Sequence, residues 1–421
     1  MILMKSREQT IIKPYISILF TCLLSLLISS SSSLWIIAHE HSSPKPFPHL
    51  PRPFFLSHRG SRFLSPENTM EAFKQILALG TSVLEFDVRL TKDHQLVVFH
   101  DAVVNRTTDG EKAVNSYTVQ EIKKLNAAFH FRDHTGEYLY RTNPLTTTKK
   151  IIFQISTLEE ILLEFWGESR ELTPLDINMN IEIKDNDLLA AELLLKILEK
   201  YGNAHEHVVI VSNFCGPLEF IQQKDKRIPT GTCEKEVVRF VVYHLLNDLT
   251  SPLFELGKLA IGSQSMKNSY SAFQIPVSHL GLNFSNPYFI SDAKQVGKEV
   301  HYWVVNSKES MRQLIKAGAD GIITDRTDFA LEVWKEMNLP LSPIIEIFRK
   351  KYSDYLPYLS KPYENFEETH TCVTLMCRII DSLKFVVLSV LVMSLLLSYQ
   401  LCCYCCKLFN NGKVERKTKV D

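Results

Sequence analysis

The chain has 421 residues, with 47 Lys and Arg balancing 47 Asp and Glu, and 45% of its residues are hydrophobic. That length accommodates one large catalytic domain plus terminal segments, with little room for a second catalytic unit. Zero net charge and the lack of a basic stripe remove nucleic acid from the implied partners, and there is no internal repeat.

Residues 1–13 carry Lys5, Arg7 and Lys13, and residues 14–38 carry no charge. The apolar part, Tyr15–Ile28, falls short of the ~20 residues a spanning helix needs, and Ser29–Ser33 follow it. Residues 14–38 therefore read as a signal anchor or a signal peptide, with 39–52 as a linker. Next comes FFLSHRG, an apolar run ending in His58, Arg59 and Gly60, which predicts a buried strand emptying into a loop. In NTMEAFKQILALG, Met70, Phe73, Ile76 and Leu77 are at helical spacing, and Gly80 suits the left-handed position after a helix. VLEFDVRL alternates, so Glu85 and Asp87 project to the same side of a strand. VVFHD then places His100 at the end of another apolar strand.

Paired carboxylates on an interior strand repel one another and lose hydration unless a cation or protons compensate. A hard divalent cation, Mg²⁺ or Ca²⁺, is the natural partner of such oxygen ligands. The bland alternative is a strand whose Glu85 and Asp87 face water. Against it stand His58, Arg59 and His100 at the ends of neighbouring strands, where a parallel α/β fold gathers its active site.

HRG, ENT, ExD and HD together resemble the glycerophosphodiester phosphodiesterase family, whose members fold as a (β/α)8 TIM barrel. The resemblance continues through NIEIKD at Asn180–Asp185, HYWVVN at His301–Asn306 and AGADGIITD at Ala317–Asp325. It implies a catalytic barrel over residues 53–337. Glu182 would be the third metal carboxylate beside Glu85 and Asp87, and Lys184 would join Arg59 on the substrate phosphate. His58 and His100 would act as acid and base, in an order the sequence leaves open. Asn68 is either the cap of the helix beginning near Thr69 or part of the substrate mouth. Trp303 either lines the pocket or packs in the core. Residues 105–155 are polar and mixed, and match the family's usual insertion after the second strand, a roof over the site. Residues 234–261 hold more apolar residues than one barrel helix requires. They read as a longer helix pair or as a lip for an acyl chain or bilayer.

Beyond a stalk at 338–384, residues 385–406 lack charge and predict a transmembrane helix, and the basic tail 407–421 belongs in the cytoplasm by the positive-inside rule. The barrel is thus expected on the lumenal or extracellular side. Asn105 and Asn283 lie in glycosylation sequons. Cys402, Cys403, Cys405 and Cys406 suit S-palmitoylation, while Cys215, Cys233, Cys372 and Cys377 are an even set that permits disulfides without giving a pairing. The similarity leans toward the membrane-associated lysophospholipase D branch, which implies lysophospholipid substrates. Glycerophosphocholine or glycerophosphoinositol is the alternative, and a non-catalytic barrel receptor a third reading.

Overall fold

The computed structural model describes residues 43–133, 135–141, 153–247, 270–279 and 282–360. Residues 14–38 and 385–406 lie outside that set, as do 248–261 and the C-terminal cysteines. Among the described residues no helix is long and apolar enough to cross a membrane.

The architecture is a TIM-like β/α barrel. Strands β1 (Phe54–His58), β2 (Val83–Leu90), β4 (Asn178–Ile183), β5 (Val208–Val211), β6 (Ala272–Ile275), β7 (Glu299–Tyr302) and β8 (Gly321–Thr324) run parallel in the order β5-β4-β2-β1-β8-β7-β6. The sheet closes through Thr230 and Gly231, which bridge in parallel to Ile210 and Ala272 and supply the remaining stave. Helices follow the staves in turn: α1 (Met70–Leu79), α2 (Leu158–Trp166), α3 (Leu188–Leu198), α4 (Cys215–Lys224), α5 (Glu234–Asn247), α6 (Pro287–Gln295), α7 (Lys308–Ala317) and α8 (Thr327–Glu336). A further helix, α9 (Ile344–Lys351), packs on α1.

Strand alternation builds two cores. Phe54, Leu56, Val83, Val209, Val211 and Ile323 meet inside the barrel, joined by Phe47 and Leu50 from the segment before β1. The intervening residues, among them Phe86, Met179, Ile181 and Ile210 on one side and Phe273, Val300 and Ile322 on the other, pack under the helices. In α1 the side chains of Phe73, Ile76 and Leu77 are fully buried, each contributing about 1.5–3 kcal/mol over an exposed position. Thr69 caps this helix by accepting from Ala72 N, and Gly80 ends it at φ 130°.

One sequence expectation needs correction. β3 (Leu96–Val98), which precedes His100, pairs antiparallel with β2 and is no barrel stave. The mixed composition of 105–155 conceals a core of its own. Val114, Ile122, Ala127, Ala128, Phe153 and Ile155 are buried together with Val97, Phe99 and Val104, so the described part of the insertion is a packed module fastened to the hairpin. Of residues 234–261, the described part is the single helix α5, whose Phe240 ring lies 4.3 Å from that of Phe273. Cys215 and Cys233 form a disulfide, the pairing the sequence left open.

Candidate active site

Parallel staves bring their C-terminal ends to one face, and the sequence-nominated residues collect there. Register does the placing. His58 is opposite Glu85, and Asp87 is opposite Glu182 on β4. Glu85, Asp87 and Glu182 each offer an oxygen, and these oxygens lie within 4.8 Å of one another. Glu85 is 3% exposed and Asp87 0%.

The electrostatics of this trio are uneven. Burial, reinforced by Asp87, pushes the Glu85 carboxyl well above the usual range. Burial also works against charge on Asp87, but Lys184 and Arg59 outweigh it and hold that carboxyl below its ordinary value. Lys184 Nζ lies 3.1 Å from Asp87 and 2.6 Å from Glu182, and Arg59 Nε lies 3.2 Å from Asp87. Hence both proposed phosphate cations also neutralise the carboxylates. Three convergent hard oxygens, one of them on a carboxyl that burial pushes toward its neutral form, are a donor set that fits Mg²⁺ or Ca²⁺.

Arg59 owes its place to a turn that only an unusual backbone permits. Arg59, Gly60 and Ser61 all have positive φ, at 51°, 77° and 64°. A Cβ on Gly60 would sit 3.0 Å from that of Ala72 on α1, so glycine is required both for the conformation and for the close approach. The turn aims Arg59 N at Glu85 Oε2, 2.8 Å away. Non-glycine residues held at positive φ concentrate at functional sites.

Each histidine is fixed through Nδ1 by a carboxylate. His58 meets Asp325 at 2.6 Å and His100 meets Asp101 at 2.5 Å. With Nδ1–H donated to the carboxylate, Nε2 is left for proton transfer. Burial lowers the pKa of both rings; Asp325 opposes it at His58 and Asp87 at His100. Proton transfer near neutrality favours neutral imidazole as base, and these depressions favour that form.

Of the two forms expected of Asn68, the structure excludes the helix cap. Thr69 is the helix cap, while Asn68, at φ 58°, donates to Asp87 Oδ2 at 2.9 Å and so orients a carboxylate. Trp303 follows β7, half-buried against the interior cluster, and donates its backbone N–H to Ile275 O at 3.1 Å. Sequence reasoning missed the residues that hold the others. Asp325 accepts from His58, Arg62 and Asn306. Glu67 accepts from Arg59 and Arg106, and Asp101 from Arg106. A signal for Asp325 was present: it follows Ile323 by two residues, on the inward-facing register of β8.

Known proteins resemble this chain over the same region. The model of the glycerophosphoryl diester phosphodiesterase family matches residues 58–329. A glycerophosphodiester phosphodiesterase of Caldanaerobacter subterraneus subsp. tengcongensis is 32% identical over 274 residues, 64% of this chain and 93% of the relative. Lysophospholipase D GDPD1 of Rattus norvegicus is 25% identical, over 64% of this chain and 82% of its own. Among solved structures, the glycerophosphoryl diester phosphodiesterase domain of a Mycobacterium tuberculosis protein superposes with a TM-score of 0.52 at 18% identity. It covers 68% of this chain and 100% of that one, and supports the fold.

Proposed function

The chain belongs to the glycerophosphoryl diester phosphodiesterase family and is a phosphoric diester hydrolase; we propose that His58 and His100 perform the proton transfers, with Glu85, Asp87 and Glu182 holding a divalent cation. The observation that carries this reading is the pair of imidazoles, each pinned through Nδ1 beside a buried carboxylate cluster. One Nε2 takes the proton of the attacking oxygen, and the other gives a proton to the departing alcohol oxygen. Arg59 and Lys184 offset the charge that grows on the phosphoryl oxygens. The cation, when bound, supplies Lewis-acid polarisation of the phosphate. Trp303, half-buried after β7, lines the substrate pocket.

The substrate this geometry supports best is a glycerophosphodiester. A lysophospholipid is the second reading. It is favoured by the similarity to Lysophospholipase D GDPD1 and by exposed Leu188, Val238 and Tyr288 near the first turns of α3, α5 and α6, which lie at the catalytic end of the barrel. A lumenal or extracellular barrel, tethered by residues 385–406, is supported by the Cys215–Cys233 disulfide and by the exposure of Asn105 and Asn283. The deciding experiment incubates detergent-solubilised full-length protein with glycerophosphocholine or lysophosphatidylcholine, after chelation and with Mg²⁺ or Ca²⁺ restored. Glycerol phosphate from the first substrate supports the primary reading. Lysophosphatidic acid from the second supports the lipid reading, and neither product from either substrate overturns both.

A further inference from the structure

Among the described residues of the insertion, Arg106 joins the framework of the site. Its guanidinium faces two carboxylates at once. Nε donates to Asp101 Oδ2 at 2.5 Å, while Nη1 and Nη2 fork onto Glu67 at 2.9 and 2.6 Å. Both carboxylates are already committed to groups nearer the chemistry. Asp101 Oδ1 holds His100 Nδ1 at 2.5 Å, and Glu67 Oε1 accepts from Arg59 Nη1 at 3.0 Å. The outcome is a continuous chain, His100–Asp101–Arg106–Glu67–Arg59, whose last member lies 3.2 Å from Asp87.

We propose that Arg106 is a positioning residue for phosphodiester cleavage, locking His100 of the hairpin to Arg59 of the β1 turn so that the proton-transfer group and the phosphate cation keep one relative placement. The inference rests on the roles given above to those two residues. The sheet alone does not provide this lock, because His100 lies beyond the last paired residue of β3 and Arg59 beyond the end of β1. Only a planar fork can bond both carboxylates in these directions, and an ammonium of equal charge cannot.

Exposure separates positioning from mere stabilisation. The Arg106 side chain is 42% exposed, whereas those of Glu67 and Arg59 are each 10% exposed. Ion pairs that reach solvent contribute little to folding. The fork nevertheless constrains both carboxylates from outside, where solvent would otherwise let them turn. Loss of Arg106 frees Asp101 to rotate away from His100 and removes the forked hydrogen bonds to Glu67, which keeps its bond from Arg59. Geometry is lost while the barrel stays folded.

The test compares Arg106→Ala, Arg106→Lys, Asp101→Asn and the Asp101→Asn/Arg106→Ala double variant in the full chain, with glycerophosphocholine and the divalent cation. Groups that orient the reacting residues of a site typically cost 10–100-fold when removed. Arg106→Ala should therefore lose about 10–100-fold in kcat with its melting temperature nearly unchanged, and Arg106→Lys should recover little. Added guanidinium ion should restore part of the alanine variant's rate. The double variant should be no slower than the slower single one, since both break the same chain. A folded Arg106→Ala within twofold of wild type, or losses that multiply in the double variant, would overturn the proposal. A second readout needs no turnover: His100 ring ¹⁵N shifts should report one fixed tautomer in the wild type and averaging in Arg106→Ala. Unchanged shifts in that variant likewise overturn it. A wild type that cleaves no phosphodiester defeats the functional reading, and the ring shifts then still decide for or against Arg106 as the lock on His100.

Discussion

Asp325→Asn changes one atom and should silence His58. The carboxylate is fully buried and serves three donors. Oδ1 faces His58 Nδ1 at 2.6 Å, while Oδ2 accepts from Arg62 Nε at 2.9 Å and Asn306 Nδ2 at 3.0 Å. An asparagine has one acceptor oxygen, and two donors claim the Oδ2 position. The amide oxygen must settle there, which turns the amide NH₂ toward His58. The ring then has to accept at Nδ1, so its proton moves to Nε2 and the atom facing substrate can no longer act as a base. Should His58 instead be the acid, the loss persists, because a neutral amide does not support the imidazolium. Tautomer inversion of this kind in a serine-protease triad costs about 10⁴ in kcat, or ~5.5 kcal/mol of barrier. A fall of 10²–10⁴-fold in kcat, with KM nearly unaltered, is expected in steady-state assays with glycerophosphocholine. Asp325 also opposes the burial that lowers the His58 pKa. Any residual activity should accordingly show its His58-dependent limb at lower pH. A variant that keeps its fold by circular dichroism and loses less than tenfold would refute the orienting role of Asp325.

Glu85→Ala, His58→Ala and His100→Ala should each abolish turnover with the barrel intact, and near-normal activity in purified Glu85→Ala would remove the basis of the metal assignment. Chelation should silence the wild type and a divalent cation restore it; full activity after exhaustive chelation contradicts the assigned role of the carboxylate trio. Glu71, near the start of α1, is pushed up to about 7 from 4.5, chiefly by burial. Its folded-state pKa exceeds the unfolded one, so the native state loses stability as pH rises from 4.5 to 7. Glu71→Gln should therefore raise stability above pH 7 by up to about 3 kcal/mol and change little below pH 4, as followed by urea unfolding at several pH values. Cys215→Ser/Cys233→Ser opens a loop of 18 residues and should cost about 3 kcal/mol. An unchanged denaturation midpoint would show that the bridge adds no stability.

The chemistry of the site was legible because it resides in short-range pattern. Alternation on β2 aimed Glu85 and Asp87 the same way, and Gly60 announced a turn that no other residue could make beside α1. What escaped the sequence was long-range or disguised. Asp325 follows His58 by 267 positions, and only closure of the barrel brings them together. The strand before His100 has the apolar character of a stave but turns back on β2, and composition carries no sign of strand direction. Asn68 stayed open between cap and mouth because its neighbour Thr69 satisfies the same capping rule, and the helix uses Thr69. The polar surface of 105–155 hid buried Val114, Ile122, Ala127 and Phe153, which are too irregularly spaced to register as a helix or a strand. That hidden core has a consequence for function. A packed insertion can hold Arg106 still, whereas a loose roof could not, and His100 lies on the chain that it carries.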